Sequence, residues 1–414
     1  MPEPERTRFN RDDAPILAIQ AGFVERDRPS DRFAYFSTDD RLCMVAGAQE
    51  RNEVGLALAY GMTRRGDKAL TLILPESHAF STLQRAPWIR EEVGLEIWIH
   101  RELQANGPVE RSRQDTIEEH SVNLGVNQSP GTQFTKDAAP AHLGDKSQSV
   151  FALVEWASKD PRLDPGHRQS ERSWHCMGQK VLSFKWNASQ VKVWAGIHDA
   201  ALLDHPTAVL DNGDTLNGAT LDDVKAAVEE GIRQRLAGQF RRPDEHWMQA
   251  VVRQLPSIVG VEQPALRELP VWRPKASDLS ESSWTKKWGR GYIDIAGLDG
   301  HGNLRIVEIK RADNDDPLLV LQGLDYYIWS LALENTLTER LGASAKSKTE
   351  LHFVVGDSEV GVIKHSPYTA PLAQNLHPSV PWQFQTIRHW FNPGGGHEGV
   401  TSKLFEPGVV PDED

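Results

Sequence analysis

The chain has 414 residues, 39% of them hydrophobic and 25% charged, ordinary values for a globular protein, and at roughly 100–200 residues per domain this length predicts two to four domains. A formal net charge of -12 excludes attachment to nucleic acid by bulk charge alone, while leaving room for a local basic patch. No apolar run approaches the ~18 residues needed to span a bilayer, and the opening MPEPERTRFNRDD lacks the apolar core of a signal peptide, so a cytoplasmic chain with no membrane partner is expected.

Residues 33 to 100 read as alternating strands and helices. A strand is predicted at 41–46, then a helix from about Gln49 with Val54, Leu58, Gly61 and Met62 at helical spacing, ended by Arg64, Arg65 and Gly66. The run 68–74 (KALTLIL) is a buried strand, and a helix at 77–85 and a strand at 95–100 complete a small α/β unit with parallel strands over 1–102. It contains no GxGxxG and no GxxxxGK[ST], so a phosphate-binding loop is not supported. Apolar content collapses over 103–149, which reads as a polar linker or long loop. A central region, 150–236, is β-rich with a hairpin around Asn187, Ala188 and Ser189 and a charged helix from about Thr220 to Leu236.

The third region, 237–392, opens with Pro243 in the first turn of a helix carrying the stripe Met248, Val251, Val252 and Leu255. A strand at Val271 and Trp272 is followed by two alternating segments, 291–298 (GYIDIAGL) and 303–310 (NLRIVEIK), joined by an Asp-Gly turn, which is a strong hairpin signal. A long helix follows from Pro317 to about Leu333, with Leu321, Leu324, Ile328 and Leu331 as its buried stripe. Later strands are predicted at 351–355 and 382–387, and 393–414 is a tail. The fold class expected overall is α/β and multidomain.

The hairpin carries the chemistry. Alternate residues of a strand share a face, so Glu308 and Lys310 point together and Ile309 away. If the loop spans Asp299 to Asn303, antiparallel pairing sets Asp294 opposite Glu308. Two carboxylates at one point repel unless a cation sits between them, and a hard divalent ion such as Mg²⁺ suits oxygen ligands, with Mn²⁺ as a substitute and the Ile309 carbonyl as a further oxygen. Lys310 would stabilise charge developing on a scissile phosphate or orient an attacking water. Gln322 and Tyr326, four apart on one helix face, would bind a sugar-phosphate backbone or hold Lys310. Glu245, in the first turn of the upstream helix, would be a third carboxylate at the metal. Its neighbour Asp244 is the competing candidate for that role.

The ordered set Gly291-Tyr292-Ile293-Asp294, Glu308-Ile309-Lys310 and Gln322 to Tyr326 (QGLDY) resembles the PD-(D/E)XK nuclease superfamily, in particular its RecB-like Gln-x-x-x-Tyr branch. The stretch 245–249 with 255–260 is similar to the opening helix of Shedu-type bacterial defence nucleases. The resemblance covers about 240–390 and implies a mixed sheet flanked by helices that cuts phosphodiester bonds with Mg²⁺. No proline precedes Asp294, a departure the superfamily tolerates. An isolated E-x-K is weak by itself, and the ordered set across hairpin and helix is what carries the likeness.

Cys43 and Cys176 are the only cysteines, which excludes a disulfide scaffold and a four-cysteine zinc site. Across 241–390 there are 17 Lys and Arg against 18 Asp and Glu, a net of -1, so most of the acidic excess lies elsewhere. Lys286, Lys287, Arg290, Arg305, Lys310 and Arg311 cluster around the hairpin, with Arg290 and Arg311 the candidates for contacting phosphates. The functional expectation is a metal-dependent nuclease with DNA as favoured substrate, acting as a regulated effector in bacterial anti-phage defence. Residues 1–236 would sense a ligand or protein partner or build a homo-oligomer. The competing expectation is a catalytically silent nucleic-acid-binding or scaffold protein that keeps the nuclease fold.

Overall fold

The structure is a computed structural model, and it describes residues 13–23, 34–46, 51–76, 79–101, 103–124, 148–168, 171–186, 190–197, 206–210, 218–238, 244–272, 290–312, 318–342, 348–358, 360–392 and 398–411. It is an α/β protein of two compact units, neither of them a continuous piece of sequence. The first comprises 1–124, 260–386 and 402–414, and the second 125–259 and 387–401. Among the described residues no helix is long and apolar enough to cross a membrane.

The first unit begins with α1 (Ala14–Gln20), β1 (Ala34–Ser37), β2 (Arg41–Val45), α2 (Arg51–Arg64), β3 (Ala69–Pro75), α3 (Phe80–Arg85), β4 (Glu96–Arg101), β5 (Gln104–Pro108) and α4 (Arg113–Leu124). Its five strands form one sheet in the order β1-β2-β3-β4-β5, and β2, β3 and β4 run parallel as expected. Alternation assigns each face to a different core: Leu42 and Met44 of β2 join the main hydrophobic cluster, whereas Cys43 and Val45 pack with Leu17, Ala18 and Phe23 on the other side. Burial pushes the thiol of Cys43 far above its ordinary value, making it an inert core group. The α2 helix ends as predicted: Arg64 sits in its last turn and Gly66 takes φ 58°, the left-handed conformation that stops a helix.

The second unit holds α5 (Gln148–Lys159), the strands β6 (Leu163–Arg168), β7 (Glu171–Cys176), β8 (Gln179–Trp186), β9 (Val191–Ala195) and β10 (Ala208–Leu210), then α6 (Leu221–Leu236) and α7 (Glu245–Gln254). The strands form an antiparallel meander, β10-β9-β8-β7-β6. The expected hairpin is β8 and β9, with Phe184 paired to Val193; its turn, 187–189, lies outside the described residues. Thr220 and Asp223 form a capping box that starts α6, and α6 packs on β7, β8 and β9. Asp244 caps α7 by accepting the Trp247 amide (3.1 Å), so this helix starts at Glu245 and Pro243 precedes it, outside the described residues.

The chain then returns to the first unit with β11 (Leu266–Trp272), β12 (Arg290–Leu298), β13 (Leu304–Arg311), α8 (Leu319–Ala332), α9 (Glu334–Arg340), β14 (Thr349–Gly356), α10 (Thr369–Gln374), β15 (Trp382–Arg388) and β16 (Thr401–Leu404). The six strands form a mixed sheet, β11-β12-β13-β14-β15-β16, antiparallel across β11, β12 and β13 and parallel between β13 and β14.

Three expectations about organisation change. The stretch read as a linker carries β5 and α4 up to Leu124, and 125–147 lies outside the described residues. The expected tail supplies β16 to the sheet edge. The domain boundaries at 102 and 237 also give way, because one continuous hydrophobic cluster takes Leu42, Leu58 and Leu70 from the front of the chain and Ile306, Leu324, Phe353 and Phe384 from the back. The reason is visible in α8. Its buried residues run almost unbroken from Leu319 to Ser330, far wider than the predicted stripe, and a helix apolar all round needs partners on every side. It packs against β13 and β14 on one side and meets α3, α4 and α10 elsewhere.

A fragment beginning at Gln239 would keep α8 and its sheet while losing α2, α3 and the first sheet. Such a fragment is expected to show no cooperative thermal transition by near-ultraviolet circular dichroism, and a sharp transition near that of the full chain would contradict the shared core.

Candidate active site

The hairpin of β12 and β13 has the five-residue connection expected, 299–303. It closes through Asp299, whose amide donates to the Asn303 carbonyl (2.9 Å) and whose Oδ1 accepts from the amides of His301 (2.8 Å) and Asn303 (2.9 Å). Burial pushes the Asp299 carboxyl up, but the donors from Asn303 and His301 and the charge of Arg305 outweigh it and hold the group below its ordinary value. This turn pins the register, with Ala296 opposite Ile306 and Ile295 opposite Val307. The paired register ends at Ile295 and Val307.

Past the Ile295–Val307 pair the side chain of Asp294 takes over from the ladder: its Oδ2 accepts the Ile309 amide at 2.7 Å. Lys310 Nζ donates to Glu308 Oε1 at 2.8 Å, as two residues on one strand face can. Asp294, Glu308 and Lys310 are exposed by only 6%, 1% and 7%. Ile309 joins Asp294 through its amide N–H.

Helix α8 reaches the same strands through glycines whose purpose composition does not reveal. A Cβ on Gly323 would lie 2.7 Å from Phe353 Cε1, so the helix approaches β14 closely there, and Phe353 is the register partner of Glu308. Tyr326 is buried, its hydroxyl accepts the Tyr292 amide (3.4 Å), and a Cβ on Gly291 would come within 2.9 Å of its ring. Tyr326 therefore touches β12 just ahead of Asp294. Gln322 is half-buried on the same helix, and Arg311 is half-buried at the end of β13.

Glu245 is the first residue of α7 and belongs to the second unit, whereas the hairpin belongs to the first. Asp244 spends its carboxylate on the helix cap and on Arg235 (3.3 Å). The side chains of Arg290, Lys286 and Lys287 lie outside the described residues. Two residues were missed. Glu268 stands on β11 between Arg267, paired with Ile295, and Leu269, paired with Ile293, which places it at the level of Asp294, and it takes φ 49° inside a strand. Arg85, remote in sequence, forms a buried bidentate pair with Asp325 of the QGLDY segment. The positive φ carries no sequence signal, and a lone arginine on a short helix carries little.

Among the described residues no group of three or more His, Cys, Asp or Glu side chains could hold a metal ion. Asp294 and Glu308 are the buried carboxylates of the two hairpin strands available to a hard cation such as Mg²⁺, an ion commonly held by one or two carboxylates with water and phosphate completing its shell. Comparison with protein-family models, curated proteins and solved structures finds no match to this chain.

At the turn end of the hairpin, Arg305 lies 3.4 Å from Asp299 and 3.7 Å from Glu350, and fully buried His352 lies 3.9 Å from Glu350. Burial holds the His352 imidazole below its ordinary 6.5, against the opposing pull of Glu350. The unfolded chain therefore takes up this proton first, so the stability His352 contributes is complete above about pH 6.5 and is lost as pH falls below it. Thermal midpoints measured from pH 7.5 to 5 should decline, and His352→Gln should flatten the decline; an unchanged slope in the variant would contradict the assignment. Gly291→Ala, which drives a methyl into the Tyr326 ring, should lower stability by about 1–3 kcal/mol in urea denaturation, and a neutral result would mean that the ring does not rest on this strand.

Proposed function

We propose that this chain is a metal-dependent nuclease of the PD-(D/E)XK type that hydrolyses phosphodiester bonds, with DNA as the favoured substrate and anti-phage defence as the setting. The observation that carries the reading is the burial of Asp294, Glu308 and Lys310 on the two strands of the hairpin, where Asp294 accepts the Ile309 amide and Lys310 donates to Glu308. A divalent cation held by two buried carboxylates offsets their mutual repulsion. Asp294 and Glu308 would hold Mg²⁺, which supplies Lewis acidity and lowers the pKa of bound water. Lys310 offers a positive charge to a phosphate oxygen, Gln322 and Arg311 contact the sugar-phosphate backbone, and Tyr326 holds the strand carrying Asp294. The sensing or assembly role proposed for 1–236 falls on segments of both units.

One assay tests this. Linear, circular and single-stranded DNA and RNA are incubated with the full chain in Mg²⁺, Mn²⁺ or EDTA. Cleavage is expected with either metal and none with EDTA. Near-isosteric Asp294→Asn, Glu308→Gln and Lys310→Met should each lower kcat by about 100-fold or more while keeping a cooperative thermal transition. Full activity in any of them would remove that residue from the site. Glu245→Gln should have a smaller effect. The paired state of the carboxylates favours a second reading, a silent nucleic-acid-binding protein, and binding without cleavage under every metal condition would select it.

A further inference from the structure

Arg85 ends α3, more than 200 residues before the hairpin helix, and its side chain is almost fully buried. Its guanidinium meets Asp325 in a fork: Nε donates to Oδ1 and Nη2 donates to Oδ2, each at 2.7 Å. Asp325 lies three residues after Gln322 and one before Tyr326. The α2 helix closes over the same spot, since a Cβ on Gly55 would stand 3.5 Å from Arg85 Nη1 and 3.3 Å from Leu318 Cδ2. Around it the packing continues. Trp88 lies edge-on to Tyr327 with ring centres 5.8 Å apart and donates from Nε1 to Thr116 of α4 at 3.0 Å, and the Tyr327 hydroxyl donates to the Ser379 carbonyl at 3.1 Å.

A bidentate pair fixes direction as well as distance, because the planar fork matches the carboxylate in one orientation. Apolar contacts on a helix as uniformly buried as α8 leave its rotation less defined. Successive helix residues are separated by roughly 100° around the axis, so holding Asp325 toward α3 determines where Tyr326 points. It points at Gly291 and the Tyr292 amide, on the strand that presents Asp294.

We propose that Arg85 is a positioning residue for the hairpin site: through Asp325 it sets the rotation of α8 that lays Tyr326 on β12 beside Asp294. Its kinetic consequence rests on the nuclease reading, and its geometric consequence does not. Lysine at position 85 keeps the charge and loses the fork. Removing one partner alone strands a buried charge and endangers the fold, whereas replacing both by apolar groups of similar volume is generally tolerated.

The test uses the full chain, the double variant Arg85→Met/Asp325→Leu and the single variant Arg85→Lys. Each is measured for thermal transition, for kcat and KM on DNA with Mg²⁺, and for hydrogen exchange of the amides of Gln322 through Tyr327. The double variant is expected to keep a cooperative transition, to lose about 10- to 100-fold in kcat with KM nearly unchanged, and to exchange faster in that segment; Arg85→Lys falls between it and the parent. A folded double variant that cuts with the parent's kcat overturns the proposal. If the double variant does not fold, Arg85→Lys decides by the same criterion. If the unmodified chain cuts nothing, the nuclease reading fails separately and exchange decides: faster exchange supports the positioning role, and unchanged exchange overturns it.

Discussion

Burying Asp294, Glu308 and Lys310 on the two strands of one hairpin is the constraint around which the first unit is arranged. Each would be costly alone in an apolar surround, and they are tolerable here because each has a defined neighbour: the Ile309 amide for Asp294, and Glu308 and Lys310 for each other. That arrangement requires the register to be right, since a slip of one residue would turn Glu308 and Lys310 to the opposite face. The Asp299 turn and the Arg305 pairs at the far end of the hairpin supply that register. Parallel pairing of β13 with β14 buries the strand on its other edge.

Holding these charges out of water also requires a cover, and α8 provides it. Small residues let it come close: Gly323 against Phe353 and Gly291 beneath Tyr326. A helix pressed so closely onto one sheet still has an outward side, and here that side is apolar too, so the chain's front segments close over it. The two parts of the sequence therefore form one folded unit, and the Arg85–Asp325 pair is a buried ionic contact within their shared core.

The local elements were largely legible. Alternation in 291–298 and 303–310 with an Asp-Gly turn between them identified the hairpin and its loop length, and counting from the turn gives the observed pairing as far as Ile295 and Val307. The three parallel strands of the first sheet and the charged helix ending at Leu236 were read from the sequence, and the Thr220–Asp223 cap that starts this helix was not. What was not legible is long-range. Leu103 to Leu124 looked like a linker because β5 is almost wholly polar and exposed, and an edge strand needs only backbone pairing on one side. The join between Leu42 and Phe384 was hidden because burial on all sides of α8 leaves no period from which to infer which face meets which partner.

The central claim is that the hairpin carboxylates form a divalent-cation site, and the most direct measurement is a Mn²⁺ titration of the full chain followed by electron paramagnetic resonance, with Mg²⁺ as competitor. The account predicts a bound Mn²⁺ that Mg²⁺ displaces and that disappears in folded Asp294→Asn and Glu308→Gln chains. No bound ion in the folded parent chain, or binding that survives both substitutions, would contradict it.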